Sequence, residues 1–146
     1  MVDIVGAMES HLGAADSPHQ QFRGSSSGLN GGDQGKWLTA VMYVTPVAVV
    51  VGWLKQSWYG KLSVIVDRFE RHDIMEVKEG YAVKPGFLGD LERRNARSMV
   101  GAIGGATGTY PVVTIVSRRG DLVFAFGPKD LGSVRQAYVA ISDLIG

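Results

Sequence analysis

A chain of 146 residues has room for one domain and a tail, and its 45% hydrophobic content is slightly apolar but ordinary for a globular protein. A formal net charge of +1 excludes a whole-chain field that would gather nucleic acid or anionic lipid. The absence of cysteine excludes disulfides, thiolate zinc sites, iron–sulfur clusters and cysteine nucleophiles.

Residues 1–36 read as a flexible Gly/Ser-rich docking arm. Seven of the twenty glycines fall there, in stretches such as RGSSSGLNGGDQGK, and such a composition buries too little apolar surface to offset its ordering entropy. Asp3, Glu9, Asp16 and Asp33 against Arg23 and Lys36 leave the arm at −2, and the remaining 13 basic and 10 acidic residues leave the rest at +3. Within the arm, Ile4, Met8 and Leu12 recur every fourth residue. A helix over 2–12 would therefore carry a narrow apolar stripe suited to docking on a neighbouring subunit. The first residues, MVDIVGAMES, lack the basic start and long apolar run of a secretory signal.

The stretch KWLTAVMYVTPVAVVVGWLK, residues 36–55, holds eighteen uncharged residues between two lysines. Two structures fit it. As one helix, 37–54 rises roughly 27 Å, just enough to cross the hydrocarbon core of a bilayer. Trp37 at one end and Trp53, Trp58 and Tyr59 at the other would then sit at the two interfaces, with Lys36 and Lys55 snorkelling outward. Lys55, Lys61, Arg68 and Arg71 follow the segment, which would place the C-terminal domain on the cytoplasmic side. As two strands, 38–45 and 47–54, the β-prone run VAVVV is broken at Pro46 and joins a fully soluble β-rich sheet. The coincidence of aromatic and lysine flanks with the uncharged run favours the membrane helix.

Residues 55–146 form the compact α+β domain. KLSVIVDRFE alternates Leu62, Val64 and Val66 on one face, and HDIMEVKEGYAV continues as strand with a turn at Gly80. After the loop KPGFLGD, a helix over 90–103 starts at Asp90 and carries Arg93, Arg94 and Arg97, ending in the glycine run GAIGGATGTYP. PVVTIVS and LVFAF read as a hairpin turned at RRGD, with Val113 and Ile115 against Leu122, Phe124 and Phe126. Asp130 can then cap a last helix with the seam Leu131, Val134, Tyr138, Ile141 and Ile145. The order strand, tight turn, strand, amphipathic helix over 111–145 resembles the end of pleckstrin-homology-like domains. That resemblance implies a mixed sheet closed by a C-terminal helix and assigns no binding residues.

Nothing in the chain forms a catalytic signature. The glycine run follows a helix and precedes a strand, with Thr109 and Tyr110 where a phosphate loop needs lysine. His11, His19 and His72 lack partners at ligand spacing, and His72 and Asp73 point to opposite faces if they lie on a strand. Asp67, Glu70, Asp73, Glu76 and Glu79 interleave with Arg68, Arg71 and Lys78 as the solvated side of a sheet. Arg-Gly-Asp at 119–121 is turn chemistry. Arg93, Arg94, Arg97, Arg118 and Arg119 remain as anion-binding candidates. No aromatics interleave with them, so nucleic acid is disfavoured.

The expectation is a non-enzymatic subunit of a protein assembly, without cofactor or metal, anchored by 37–54. The alternative is a soluble virus or phage particle protein whose arm locks neighbouring copies. A weaker alternative is an anionic lipid or phosphate module using the arginines.

Overall fold

The computed structural model of the protein describes residues 3–30, 38–83, 109–127 and 130–146. A short helix α1 (Ile4–Glu9) and a 3-10 turn (Ala14–Asp16) lead into seven strands: β1 (Gln20–Leu29), β2 (Leu38–Val44), β3 (Ala48–Gln56), β4 (Leu62–Glu70), β5 (Ile74–Val83), β6 (Thr109–Ser117) and β7 (Gly120–Ala125). Helix α2 (Leu131–Ile145) closes the chain. The strands form one sheet in the order β4-β3-β2-β1-β7-β6-β5. Every pairing is antiparallel, so the expected mixed sheet is corrected.

The segment 37–54 is not a membrane helix. Leu38–Val44 and Ala48–Gln56 are neighbouring strands, with Met42 opposite Val51 and Ala40 opposite Trp53. Among the described residues no helix is long and apolar enough to cross a membrane. Pro46 occupies the first central position of the turn Thr45–Ala48, where its fixed φ suits the chain and no ladder bond is lost. Thr45 closes that turn: its N–H donates to the Ala48 carbonyl at 2.9 Å, and its hydroxyl accepts the Ala48 N–H at 2.9 Å.

The uncharged run has a different cause from lipid. Ala40, Met42, Val44, Val49, Val51 and Trp53 face the inner core. The alternate residues Val41, Tyr43 and Val50 face outward, and they too are buried, under Ile4 and Met8 of α1. A strand covered on both faces cannot alternate with polar residues, so it reads as a continuous apolar stretch.

Residues 23–29 of the glycine- and serine-rich stretch expected within a flexible arm belong to β1, the middle strand. It joins the β2–β4 side to the β5–β7 side. Small residues fit because the sheet turns sharply there. A Cβ on Gly24 would lie 2.1 Å from the Ala125 carbonyl oxygen, and Gly28, at φ +85°, lies under the Trp53 ring. The β1–β7 register shifts between Ser26 and Leu29, a bulge of the kind that bends sheets.

Strands β4 and β5 are consecutive in the chain yet stand at opposite edges. The chain from Glu70 to Ile74 reaches at most about 14 Å, so the sheet must curl until its edges nearly meet at that corner. The result is a half-barrel. Arg118 N–H donates to the Asp73 carbonyl at 3.0 Å, which continues the β5–β6 ladder into the corner segment. The inner core is completed by α2 through Val134, Ala137, Ile141 and Leu144.

The hairpin at 109–125 has the expected facing, with Val113 opposite Phe124 and Ile115 opposite Leu122. The strand, turn, strand, helix ending is present. Three details differ. Gly80, expected at a turn, lies inside β5 opposite Val112. Leu131, expected in the helix seam, is 54% exposed, and Ala137 and Leu144 take its place. Asp130 precedes α2 without a side-chain capping bond. Lys36, Trp37 and the expected helix 90–103 lie outside the described residues.

Candidate docking surface

Two groups of functional candidates turn inward. Ile4 and Met8, expected to dock on a neighbour, pack against the protein's own β3, with Leu12 partly buried beside them. Gly52 makes the seat: a Cβ there would come within 2.6 Å of Met8 and 2.9 Å of Ile4. Asp3 caps the helix, accepting the Gly6 N–H at 3.0 Å. Trp53, expected at a membrane interface, is buried in the inner core and donates its indole N–H to Asp67 at 2.8 Å.

A polar latch ties the N-terminal segment to the sheet. The buried Asp16 carboxylate accepts two bonds from the Arg68 guanidinium at 3.0 Å each, one from the Thr45 hydroxyl at 3.0 Å and one from the Gly13 N–H at 2.8 Å. Arg68 also donates to Glu70 at 2.7 Å and to the His11 carbonyl at 3.3 Å. The Arg68 bonds are the chief reason the Asp16 carboxyl sits below its usual range, against the opposing effect of burial. By composition Asp16 belongs to a loose arm and Arg68 to a solvated face. Fifty-two positions separate them, and no local pattern links them.

The arginine candidates divide. Arg93, Arg94 and Arg97 lie outside the described residues. Arg119 lies across the Phe69 ring, 4.7 Å from its centroid, and donates to the Arg68 carbonyl, so it fastens the β6–β7 turn to β4. The Arg-Gly-Asp turn is held further by Asn30, which accepts the Asp121 N–H at 3.0 Å. Arg118 is exposed. His72 and Asp73 lie in a 3-10 turn rather than on a strand, with His72 Nε2 3.7 Å from Asp73 Oδ1. Among the described residues no group of three or more His, Asp or Glu is placed to hold a metal ion.

Several large apolar side chains are exposed, Met75, Tyr81, Leu131 and Val139 among them, and two exposed aromatics meet at the β3–β4 hairpin tip. Trp58 is 95% exposed and Tyr59 63% exposed, and their rings meet edge to face at 5.3 Å. They occupy the central positions of a tight turn. Ser57 N–H donates to the Lys61 carbonyl at 2.8 Å, Gly60 N–H donates to the Ser57 carbonyl at 2.9 Å, and Gly60 takes φ +89°. A three-residue loop with glycine in the left-handed region is a favoured hairpin ending. The tip is therefore set by backbone bonds while both aromatic rings face solvent. Leu62, the first residue of β4, is 39% exposed, and Lys55 and Lys61 to either side of the turn are both exposed.

Two concave regions are also present. A cleft of about 360 Å³ lies between the start of β1, the β2–β3 turn and the end of α2, and includes His19, Thr45 and Asp143. A groove of about 390 Å³ runs between β5 and α2 past Tyr81, Leu131 and Arg135. Arg135 is already paired with Glu79 across that groove.

Comparison with protein-family models, with curated proteins and with solved structures returns no match.

Proposed function

We propose that the protein is a non-enzymatic docking subunit and that its contact point is the β3–β4 hairpin tip. One observation carries this reading: Trp58, 95% exposed, is paired with a solvent-facing Tyr59 on a turn closed by two backbone hydrogen bonds. Large aromatics left in water at a fixed position contribute nothing to the core, and such residues supply contact energy when a partner covers them. The expected contact through an arm at 1–36 draws less support, because Ile4 and Met8 are spent on the protein's own sheet. The same observation weakens the reading as a particle protein locked by that arm.

The test is partition of the full chain after high-speed centrifugation of a detergent-free lysate. The wild type should pellet with large assemblies or membranes. Trp58→Ser with Tyr59→Ser should return it to the supernatant, with its thermal unfolding midpoint unchanged because both side chains are largely exposed. A wild type that stays in the supernatant, or a double variant that still pellets, overturns the reading.

A further inference from the structure

The docking reading locates a contact, and the chemistry of the tip indicates what it meets. Resting on that reading, we infer that the Trp58–Tyr59 tip seats in the headgroup region of an anionic lipid bilayer. Tryptophan and tyrosine are the side chains that settle at a membrane–water interface, each having an apolar body and a polar edge. Here they stand side by side at the end of a hairpin, with Leu62 just behind them. Lys55 lies on β3 and Lys61 immediately before β4, one on each side of the tip. From Leu54 through Val66 the chain has these two lysines and no acidic residue. A local charge of +2 with two exposed aromatics complements a surface that is both negative and able to receive rings. A neutral protein pocket would accept the rings and leave the lysines unused.

The lysines also limit depth. They hold the hairpin at the level of the headgroups, so the tip enters the interface and does not cross it. Each lysine near an anionic surface should strengthen binding about fivefold at low salt, and the effect falls within a Debye length. The rings add a salt-independent part.

The experiment is co-sedimentation of the full chain with vesicles of phosphatidylcholine alone and of phosphatidylcholine with phosphatidylserine. Binding should be tighter to the serine-containing vesicles and should weaken as salt rises. Lys55→Gln with Lys61→Gln should remove most of that preference, a loss of about tenfold or more, and leave the weak binding to phosphatidylcholine unchanged. Trp58→Ala should lower binding to both vesicles by about tenfold. Equal affinity for the two vesicle types overturns the inference, as does preference that survives loss of both lysines. If the wild type ignores both vesicles yet Trp58→Ser with Tyr59→Ser still releases it from the lysate pellet, the lipid inference falls and the docking reading stands. If neither measurement depends on the tip, both fall.

Discussion

Arg68 and Asp16 show how one pair can decide where a whole segment goes. Asp16 is 2% exposed, and its carboxylate is matched by donors from three separate parts of the chain. Breaking a buried pair from one side leaves an uncompensated charge, which costs far more than the pair itself contributes. Arg68→Ala should therefore destabilise the protein by about 3 kcal/mol in chemical denaturation. The pH dependence follows from the same geometry. Folding lowers the Asp16 pKa, so the unfolded chain takes up the proton first as pH falls. The stability contributed by this carboxylate is complete above the usual carboxylate range and is lost as pH falls through the lowered value. Asp16→Asn should be less stable than the wild type at neutral pH, and the gap should close in acid. A gap independent of pH would mean that the charge of Asp16 does not matter.

At the scale of elements, α1 explains why β2 and β3 look like a membrane span. The helix has six residues and would be marginal alone, so it exists by docking Ile4 and Met8 over Gly52. Gly52→Val should lift it from the sheet, costing about 2 kcal/mol. Amide exchange at Ala7 and Met8 should accelerate while exchange in β6 stays unchanged. Equal protection of α1 in the variant would show that the seat is not at Gly52. The same elements show what was legible in the sequence. The β6–β7 hairpin pairs in a simple register, and its facing is readable from Val113 and Ile115; β4 is readable as a strand from Val64 and Val66, although these pack under α1 while Ile65 and Phe69 on the other face join the inner core. The α2 seam was readable at Val134, Tyr138 and Ile141. β2 and β3 were not, because the cover over Val41, Tyr43 and Val50 comes from residues more than thirty positions away. β1 was hidden for the opposite reason. A strand at the bend of a half-barrel needs the small residues Gly24, Ser25 and Ser26, and that composition also describes a linker.

For the whole molecule, the curled sheet keeps the hairpin tip apart from the parts that hold the fold together. The corner where β4 meets β5 is closed by Arg119, which reaches from the β6–β7 turn to Phe69 and Arg68 of β4, and the N-terminal segment is latched at Asp16. Trp58 and Tyr59 lie at the other end of β4 and join none of these contacts. Of the expected interface residues, Lys55, Trp58 and Tyr59 face solvent and Trp53 is core; the sequence groups them because they are close in number, and the end of β3 separates them, since Trp53 is covered within the strand while Lys55 lies near its end and Trp58 and Tyr59 lie in the turn beyond. Only a β3–β4 hairpin puts Trp58 at a turn, so the exposed tip requires residues 38–56 to be a strand pair. The most direct test is a map of nuclear Overhauser contacts over that segment in the folded full chain. Cross-strand contacts joining Ala40 to Trp53, Met42 to Val51 and Val44 to Val49 are the predicted result. An unbroken ladder of contacts between residues three apart, running from 38 to 54 without those pairs, would contradict it.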